Sequence, residues 1–451
     1  MINQILNQLI KYISPVRYFF LRPLKNNSYW VDYHKLENSE KKIIDYCTIY
    51  DSEGISLIDS AYQLWHKGHI ESEDSKRLIN NDKRLRLSTQ DHYIFTRRMF
   101  KPIWSWYTLF MRIITLHNPF NEVYNFMKTI KVNRIDLNRN IYNYDDYNDF
   151  FSNNLKDKPK VSIILPTLNR YTYLTKLFKD LEKQNYKNFD IIVIDQSKPF
   201  NKTFYNNFKI NIKVFYQNKK GLWQARNRAI KKSDSDFILL LDDDSRINPN
   251  WITEHLKCID YFKADISAGV SISLIGSPIP QHYSYFRWAD QLDTGNVLIK
   301  KKVFKKCGLF DLQFEGMRMG DDNFGIRAYV NGFKSINNPL ARRLHLKANE
   351  GGLRELGSWD GLRPVGWSRP RPVPSILYHF RQNWGDINTI FFLVKNIPLS
   401  LSHYSIKGKK IGYAISIIIF SFSFPIVLIQ VLRSWSISTN KLNEGPLIDD
   451  Y

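Results

Sequence analysis

Between residues 161 and 262 the chain groups its apolar positions into blocks. VSIIL, FDIIVID, IKVFYQN and FILLL are short apolar runs at 161–165, 189–195, 212–218 and 237–241. Runs of this length, too apolar to alternate, are the pattern of strands buried on both faces. YLTKLFKDLEKQ spaces Leu174, Leu177, Phe178 and Leu181 as one face of a helix. GLWQARNRAIKKS after Lys220 and PNWITEHLKCIDYF after Asn248 read as two more helices. Strands alternating with helices predict an α/β fold, a parallel or mixed Rossmann-like sheet with helices on both faces. Ligands of such sheets bind beyond the carboxyl ends of the strands. Asp195 and the cluster Asp242, Asp243, Asp244 fall at two such ends.

The flanks differ in texture. Residues 1–155 mix charged helical patterns with basic-aromatic stretches such as FKPIWSWYTLFMRIITLHNPF, and predict a mostly helical N-terminal region. IYNYDDYNDFFSNNLKDKPK reads as a polar linker, so the catalytic domain is expected over 156–345. Residues 346–400 hold a loop rich in Gly, Pro, Arg and Trp, then a helix. In that loop Arg354, Arg363, Arg369 and Arg371 are candidate phosphate contacts, and Trp359 or Trp367 a candidate cover for a ligand ring. Packing is the simpler reading, because no spacing selects one of them. Residues 401–451 carry IGYAISIIIFSFSFPIVLIQVL, uncharged from Ile411 to Leu432. As a helix it would rise about 33 Å, enough to cross a bilayer. Spanning is the first expectation, with a monotopic or re-entrant segment bent at Pro425 next. Lys407, Lys409 and Lys410 before the segment and the acidic tail after it place the catalytic part on the cytoplasmic face of the cell membrane.

Charge narrows the partners. The formal net charge is +22, which calls for an anionic partner such as nucleic acid, anionic lipid or a phosphorylated substrate. No helix-turn-helix, zinc finger or RNA-binding motif is present, so no nucleic-acid partner is expected. The three cysteines are scattered, which argues against a disulfide framework or a zinc site.

The acidic cluster demands a counter-charge. Two carboxylates about 4 Å apart repel by roughly 4 kcal/mol at an effective dielectric near 20. They stay ionised together in water or around a cation. An isolated DDD would be a solvated turn. Here it closes a buried strand on the same sheet edge as Asp195, which points to Mn2+ or Mg2+ bridging carboxylates to a diphosphate.

Residues 161 to about 332 resemble the family 2 glycosyltransferases, which are inverting, nucleotide-sugar dependent and built on a GT-A fold. VSIILPTLNR is similar to the opening strand and P-T-x-N-R turn, which implies nucleotide-sugar contacts from Pro166, Thr167, Asn169 and Arg170. IIVIDQS implies that Asp195 meets the nucleobase, and NKKGLWQARN places Asn218, Gly221, Arg226 and Asn227 near the nucleotide. LLLDDDSRINP resembles the D-x-D motif. Asp244 would then ligate the metal, Asp242 the ribose or the metal, and Asp243 stands between them with its role open. DTGNVLIKKKVFKKCGLFD, with Gly295 and Asn296, resembles the strand and turn that frame the sugar and acceptor pocket. GMRMGDDNFGIRAYVNGF resembles the G-E-D segment, with Arg327 and Gly332 in place. Asp322 takes the position of the catalytic base, and Asp321 stands where Glu is commoner. His345 in RRLHLKANEGG falls where many relatives place a metal-binding His.

The resemblance implies a metal-dependent transferase moving one sugar from a nucleotide-diphosphate sugar to a lipid-linked glycan at the membrane, in surface polysaccharide biosynthesis. LYHFRQN resembles the Y-x-x-R-N helix of non-processive members, which favours single-sugar addition. A nucleotidyltransferase is one alternative, but PTLNRYTYL lacks the glycine-rich phosphate loop that it would want. A basic protein that binds anionic polymers without catalysis is the other.

Overall fold

Strands β1 (Val161–Thr167) and β2 (Phe189–Asp195) are buried at every position but the first of β2, which is why their sequences lack polar alternation. In the computed structural model they lie in a mixed sheet with β3 (Ile212–Tyr216), β4 (Phe237–Leu241), β5 (Ser245–Ile247), β6 (Ile266–Ser273), β7 (Arg287–Trp288), β8 (Asn296–Lys300) and β9 (Ser335–His345). The strand order is β3-β2-β1-β4-β8-β6-β9-β5, with β7 on β9. Residues 2–25, 29–72, 75–79, 85–273, 279–289, 292–348, 353, 361–363, 366–402, 406 and 409–451 are described.

β1 to β4 run parallel, as the sequence predicts. β8 runs antiparallel between β4 and β6, and β5 and β7 run antiparallel to β9. The sheet is therefore mixed. β5 was not legible, because SRINP reads as a turn before a helix and its pairing with β9 is long-range. Neighbours along a strand face opposite sides. Ile163 and Leu165 join Leu174, Phe178, Trp251 and Leu256 in one core layer. Ile164, Ile192 and Leu240 join Trp223, Ile230, Val303 and Phe304 in the other. The helices Tyr171–Glu182 and Trp251–Tyr261 cover the first face, and Leu222–Lys231 and Lys301–Cys307 the second.

The chain divides into two compact units: Met1–Arg22, Asn26–Asn143 and Phe380–Ile429 form one, and Pro23–Lys25, Tyr144–His379 and Gln430–Tyr451 the other. The sheet lies in the second. The first is helical, with Ile2–Ile10, Glu53–His66, Thr89–Met99, Pro102–Ile114 and Pro119–Lys128 among its helices. Its interior holds the buried pair Arg98–Asp59 at 2.8 Å, with the Tyr50 hydroxyl donating to the same carboxylate at 2.6 Å.

Two expectations change. The segment read as a polar linker packs on the sheet unit from Tyr144 onward. Tyr147 is buried against Tyr261 and Phe286, and the Ser152 hydroxyl donates to Asp260 at 2.8 Å. Its aromatic residues, not its charges, decide the placement. The C-terminal tail, expected beyond a membrane crossing, also packs on the sheet unit. Leu309 N–H donates to the Asp449 carbonyl at 2.9 Å, Leu312 N–H to that of Leu447 at 3.0 Å, and the Leu447 N–H to Asp311 at 2.9 Å.

Asn296 is the polar node of the core. Its Oδ1 accepts from Trp251 Nε1 at 2.8 Å and contacts His255 Nε2 at 3.1 Å. Its Nδ2 donates to the Val270 and Ala341 carbonyls at 3.1 and 2.9 Å. Asn296→Ala should cost about 3 kcal/mol, because several fully buried groups lose their partner together. Denaturant unfolding monitored by far-ultraviolet circular dichroism measures it, and a loss near zero would contradict this role.

Candidate active site

Strand direction brings the acidic residues together. β1, β2, β4, β6 and β9 end on one edge of the sheet, where antiparallel β8 begins. Register confirms it: Thr167 pairs with Asp195, Leu241 with Asn296, and His345 with both Ser245 and Ser273. The three aspartates after β4 enter this rim side by side, and each finds a different cation or donor.

Asp242 lies between two buried guanidinium groups. Arg226 Nη2 donates to its Oδ1 at 2.6 Å, and Arg343 Nη1 to its Oδ2 at 3.1 Å. Arg226 is itself held by the Thr294 hydroxyl at 2.6 Å and stacks over Trp223. Arg343 also bonds Ser271, Ser245 and Asp293, so its guanidinium is buried among acceptors that hold its charge on. Gly295 is required beside this pair. A Cβ there would sit 2.3 Å from Asp242 Oδ2 and 2.4 Å from Arg343 Cζ.

Asp243 points inward. The Thr167 hydroxyl donates to it at 2.8 Å and Arg170 Nη1 at 2.7 Å. Burial, opposed by Arg170, pushes its carboxyl up to about 6.

Asp244 faces His345, with Nε2 to Oδ1 at 3.3 Å, and its Oδ2 accepts the Ala348 N–H at 3.0 Å. Burial would raise this carboxyl, but the hydrogen bond and charge of His345 outweigh it and leave it below the usual range. Asp242, Asp244 and His345 offer ligand atoms all within 4.8 Å of one another. Two carboxylates and an imidazole suit a divalent cation such as Mn2+ or Mg2+, the imidazole favouring Mn2+. Asp244 with His345 is the stronger half of this set, since Asp242 already balances two arginines.

Other predicted residues divide. Asn169, in a left-handed turn, is exposed at the rim beside the half-buried Arg170. Pro166 is buried in β1. Asp195 is fully buried, with Oδ2 accepting the Tyr171 and Tyr205 hydroxyls at 2.7 and 2.8 Å and Oδ1 the Ser197 N–H at 2.9 Å. Its carboxylate therefore shapes the turn after β2. Asn218 is exposed, but Asn227 bonds both the N–H and the carbonyl of Phe310 inside the core. Asn296 frames the site without reaching it. Arg327 holds the carbonyls of Cys307 and Leu309 at 2.8 and 2.7 Å, and Gly332 supplies a positive φ. These are supports of the fold, whereas the sequence reading set several of them near the ligand.

Gly221 opens the helix Leu222–Lys231, whose N-terminus is already filled. Glu315 accepts the Leu222 N–H at 2.6 Å and the Gln224 N–H at 2.9 Å, and Gln196 accepts the Gly221 N–H at 2.7 Å. Asp321 and Asp322 occupy the first turn of the helix Gly320–Val330, half-buried, with Asp321 Oδ1 accepting the Asp322 N–H at 3.1 Å. That turn lies against Trp223, since a Cβ on Gly320 would come within 2.5 Å of its ring. Trp223 in turn carries Arg226, which bonds Asp242 at the acidic rim. Of the loop residues, Arg354 and Trp359 lie outside the described residues. Arg371 bonds Gln430 Oε1 and the Leu362 carbonyl, both at 3.1 Å, so it packs.

Sequence reading missed Arg343, Asp293, Thr294 and Glu315. Arg343 had a signal. It stands two residues before His345 on one strand, and so shares its face.

The fold and rim define an α/β protein with a cation-type acidic site at its strand ends. Residues 162–320 match the model of Glycosyl transferase family 2, and the chain carries a family 2 glycosyltransferase domain. Over 189 residues the chain is 27% identical to the poly(ribitol-phosphate) beta-N-acetylglucosaminyltransferase TarS of Staphylococcus aureus, covering 38% of this chain and 33% of that protein. Over 95 residues it is 35% identical to the GalNAc(5)-diNAcBac-PP-undecaprenol beta-1,3-glucosyltransferase of Campylobacter jejuni, covering 20% of this chain and 31% of that one. The crystal structure of S. aureus TarS 1-349 aligns at a TM-score of 0.38 with 19% identity, over 58% of this chain and 72% of that one. The chain thus spans about a third of the length of these two curated relatives.

Asp244→Ala should abolish Mn2+ binding in calorimetry, while Asp242→Asn should weaken it by about tenfold, one ligand of the set being lost. Equal loss in both variants would argue against the asymmetry drawn here.

Proposed function

We propose that this protein is a metal-dependent inverting glycosyltransferase. It moves one sugar from a nucleotide-diphosphate sugar to a hydroxyl of a lipid-linked glycan, at the cytoplasmic face of the membrane, in surface polysaccharide biosynthesis. The observation that carries the reading is the set Asp242, Asp244 and His345 at the strand-end rim. Support for a role of Asp321 and Asp322 comes from their place in the first turn of the helix Gly320–Val330, whose Gly320 packs on Trp223, the ring under Arg226. The printed name of the C. jejuni relative, a transferase acting on a PP-undecaprenol-linked glycan, supports a lipid-linked acceptor.

Mn2+ or Mg2+ held by Asp244, His345 and Asp242 would supply Lewis-acid neutralisation of the diphosphate. The chain's own residues do the rest. Asp322 takes the proton of the attacking acceptor hydroxyl, which typically contributes about 10²–10⁴-fold. Asp321 fixes the turn by accepting the Asp322 N–H. Arg226 and Arg343 hold Asp242 in place, so that the rim is preformed before the donor arrives. Asn169 and Arg170 line the rim at the end of β1, where the nucleotide would lie.

Binding of a panel of UDP- and GDP-sugars, with and without Mn2+, tests the donor class, and metal-independent or absent binding would sink the proposal. Asp322→Asn should keep donor affinity and lower turnover by about 10²–10⁴-fold. Retained turnover would remove Asp322 from the mechanism.

A further inference from the structure

Two neighbouring helices of the N-terminal unit turn large apolar faces outward. In Pro102–Ile114 the buried residues are Ser105, Thr108, Leu109 and Met111, while Ile103, Trp106, Phe110, Ile113 and Ile114 face outward. Their spacing is that of a single helix face. In Pro119–Lys128 the buried side includes Glu122 and Asn125, and the outward side shows Phe120, Val123, Tyr124 and Met127. Arg112 and Glu122 pair across the inner side at 2.7 Å. Leu116, between the helices, is 94% exposed and Phe120 86%. The same unit contains the start of the helix Lys410–Glu444, where Ile411, Ile417, Ile418, Phe422 and Ile426 are exposed. Trp104 packs edge-on against Tyr413, which joins this stretch to the first helix.

The surroundings are cationic. Lys101, Lys128, Lys131 and Arg134 are exposed, and the one acid between residues 101 and 135, Glu122, is already paired. An apolar face rimmed by exposed cations fits the surface of an anionic bilayer.

Chain topology excludes a single crossing. Residues 144–379 and 430–451 share one unit, so the chain between 380 and 429 crosses a membrane an even number of times. Among the described residues one helix, Ile411–Glu444, is long and apolar enough to cross. We infer that this chain does not span the bilayer but docks on it, with the outward faces of Pro102–Ile114, Pro119–Lys128 and residues 411–429 inserted into an anionic lipid surface. The inference is independent of sugar transfer, and Asp322→Asn should leave it intact.

Flotation of the full chain with vesicles of equal parts phosphatidylglycerol and phosphatidylethanolamine tests the face. The parent should float, and Phe110→Glu with Phe120→Glu should lose binding by at least about tenfold. Lys128→Glu with Lys131→Glu should lose binding to these vesicles and the salt sensitivity with it. All four positions are exposed, and unchanged circular dichroism verifies folding. Lys409→Cys and Asn443→Cys, labelled with an impermeant maleimide in spheroplasts and in lysate, should both react from the same side, measured above the parent's own cysteines. Labelling from opposite sides, undiminished flotation of the Phe variants, or a dimer in solution that Phe110→Glu dissociates without any vesicle binding would overturn it.

Discussion

The functional rim depends on charge compensation at the carboxyl end of β4. Each pair of adjacent carboxylates about 4 Å apart repels by roughly 4 kcal/mol at an effective dielectric near 20. The fold answers with partners for each: two arginines on Asp242, Arg170 and Thr167 on Asp243, and His345 with the shared Arg170 on Asp244. These partners come from β1, the helix after Gly221, and β9, elements far apart in sequence. The rim is therefore a meeting point of the sheet, because the topology brings a hydrogen-bonding partner to each acid. A buried carboxylate that lost its arginine would be expensive, which ties the integrity of the site to that of the sheet.

What the sequence disclosed follows from which interactions are local. β1, β2 and β4 were legible because continuous apolar runs signal burial on both faces. The helices between them were legible from their apolar spacing. The antiparallel insertion of β8 and the short β5 were not, because both depend on pairing with strands distant in sequence. Among site residues, Asp242, Asp244 and His345 were found from motif resemblance and do converge. Asn227 and Asn296 were grouped with the ligand, and Arg327 with the motif, because a motif records that residues occur together, not what each one touches. In the structure their hydrogen bonds run to backbone carbonyls and buried side chains.

The N-terminal unit shows the converse failure. Its aromatic and apolar residues suggested either an interface segment or helical core, and composition alone does not separate the two. Burial separates them. Ser105, Thr108 and Glu122 occupy the inner side, so the apolar stripe was left for another medium. Amphipathic spacing says that a helix has two unlike faces, but the packing of its polar face decides which one meets water.

Glu315 closes one route by which an anion could bind at this edge. In many nucleotide-binding α/β proteins the phosphates sit on the free N–H groups at a helix N-terminus near the strand ends. Here the equivalent helix, Leu222–Lys231, begins at the same edge, but the carboxylate of Glu315 takes the Leu222 and Gln224 N–H groups and Gln196 takes that of Gly221. A diphosphate approaching that helix would meet a negative charge in place of open donors. Arg170, paired with Asp243, and His345, facing Asp244, lie at the same rim. Filling the helix N-terminus with an acid thus moves the anion site toward β4. There Asp242, Asp244 and His345 bring together ligand atoms of the kind that suit a divalent cation.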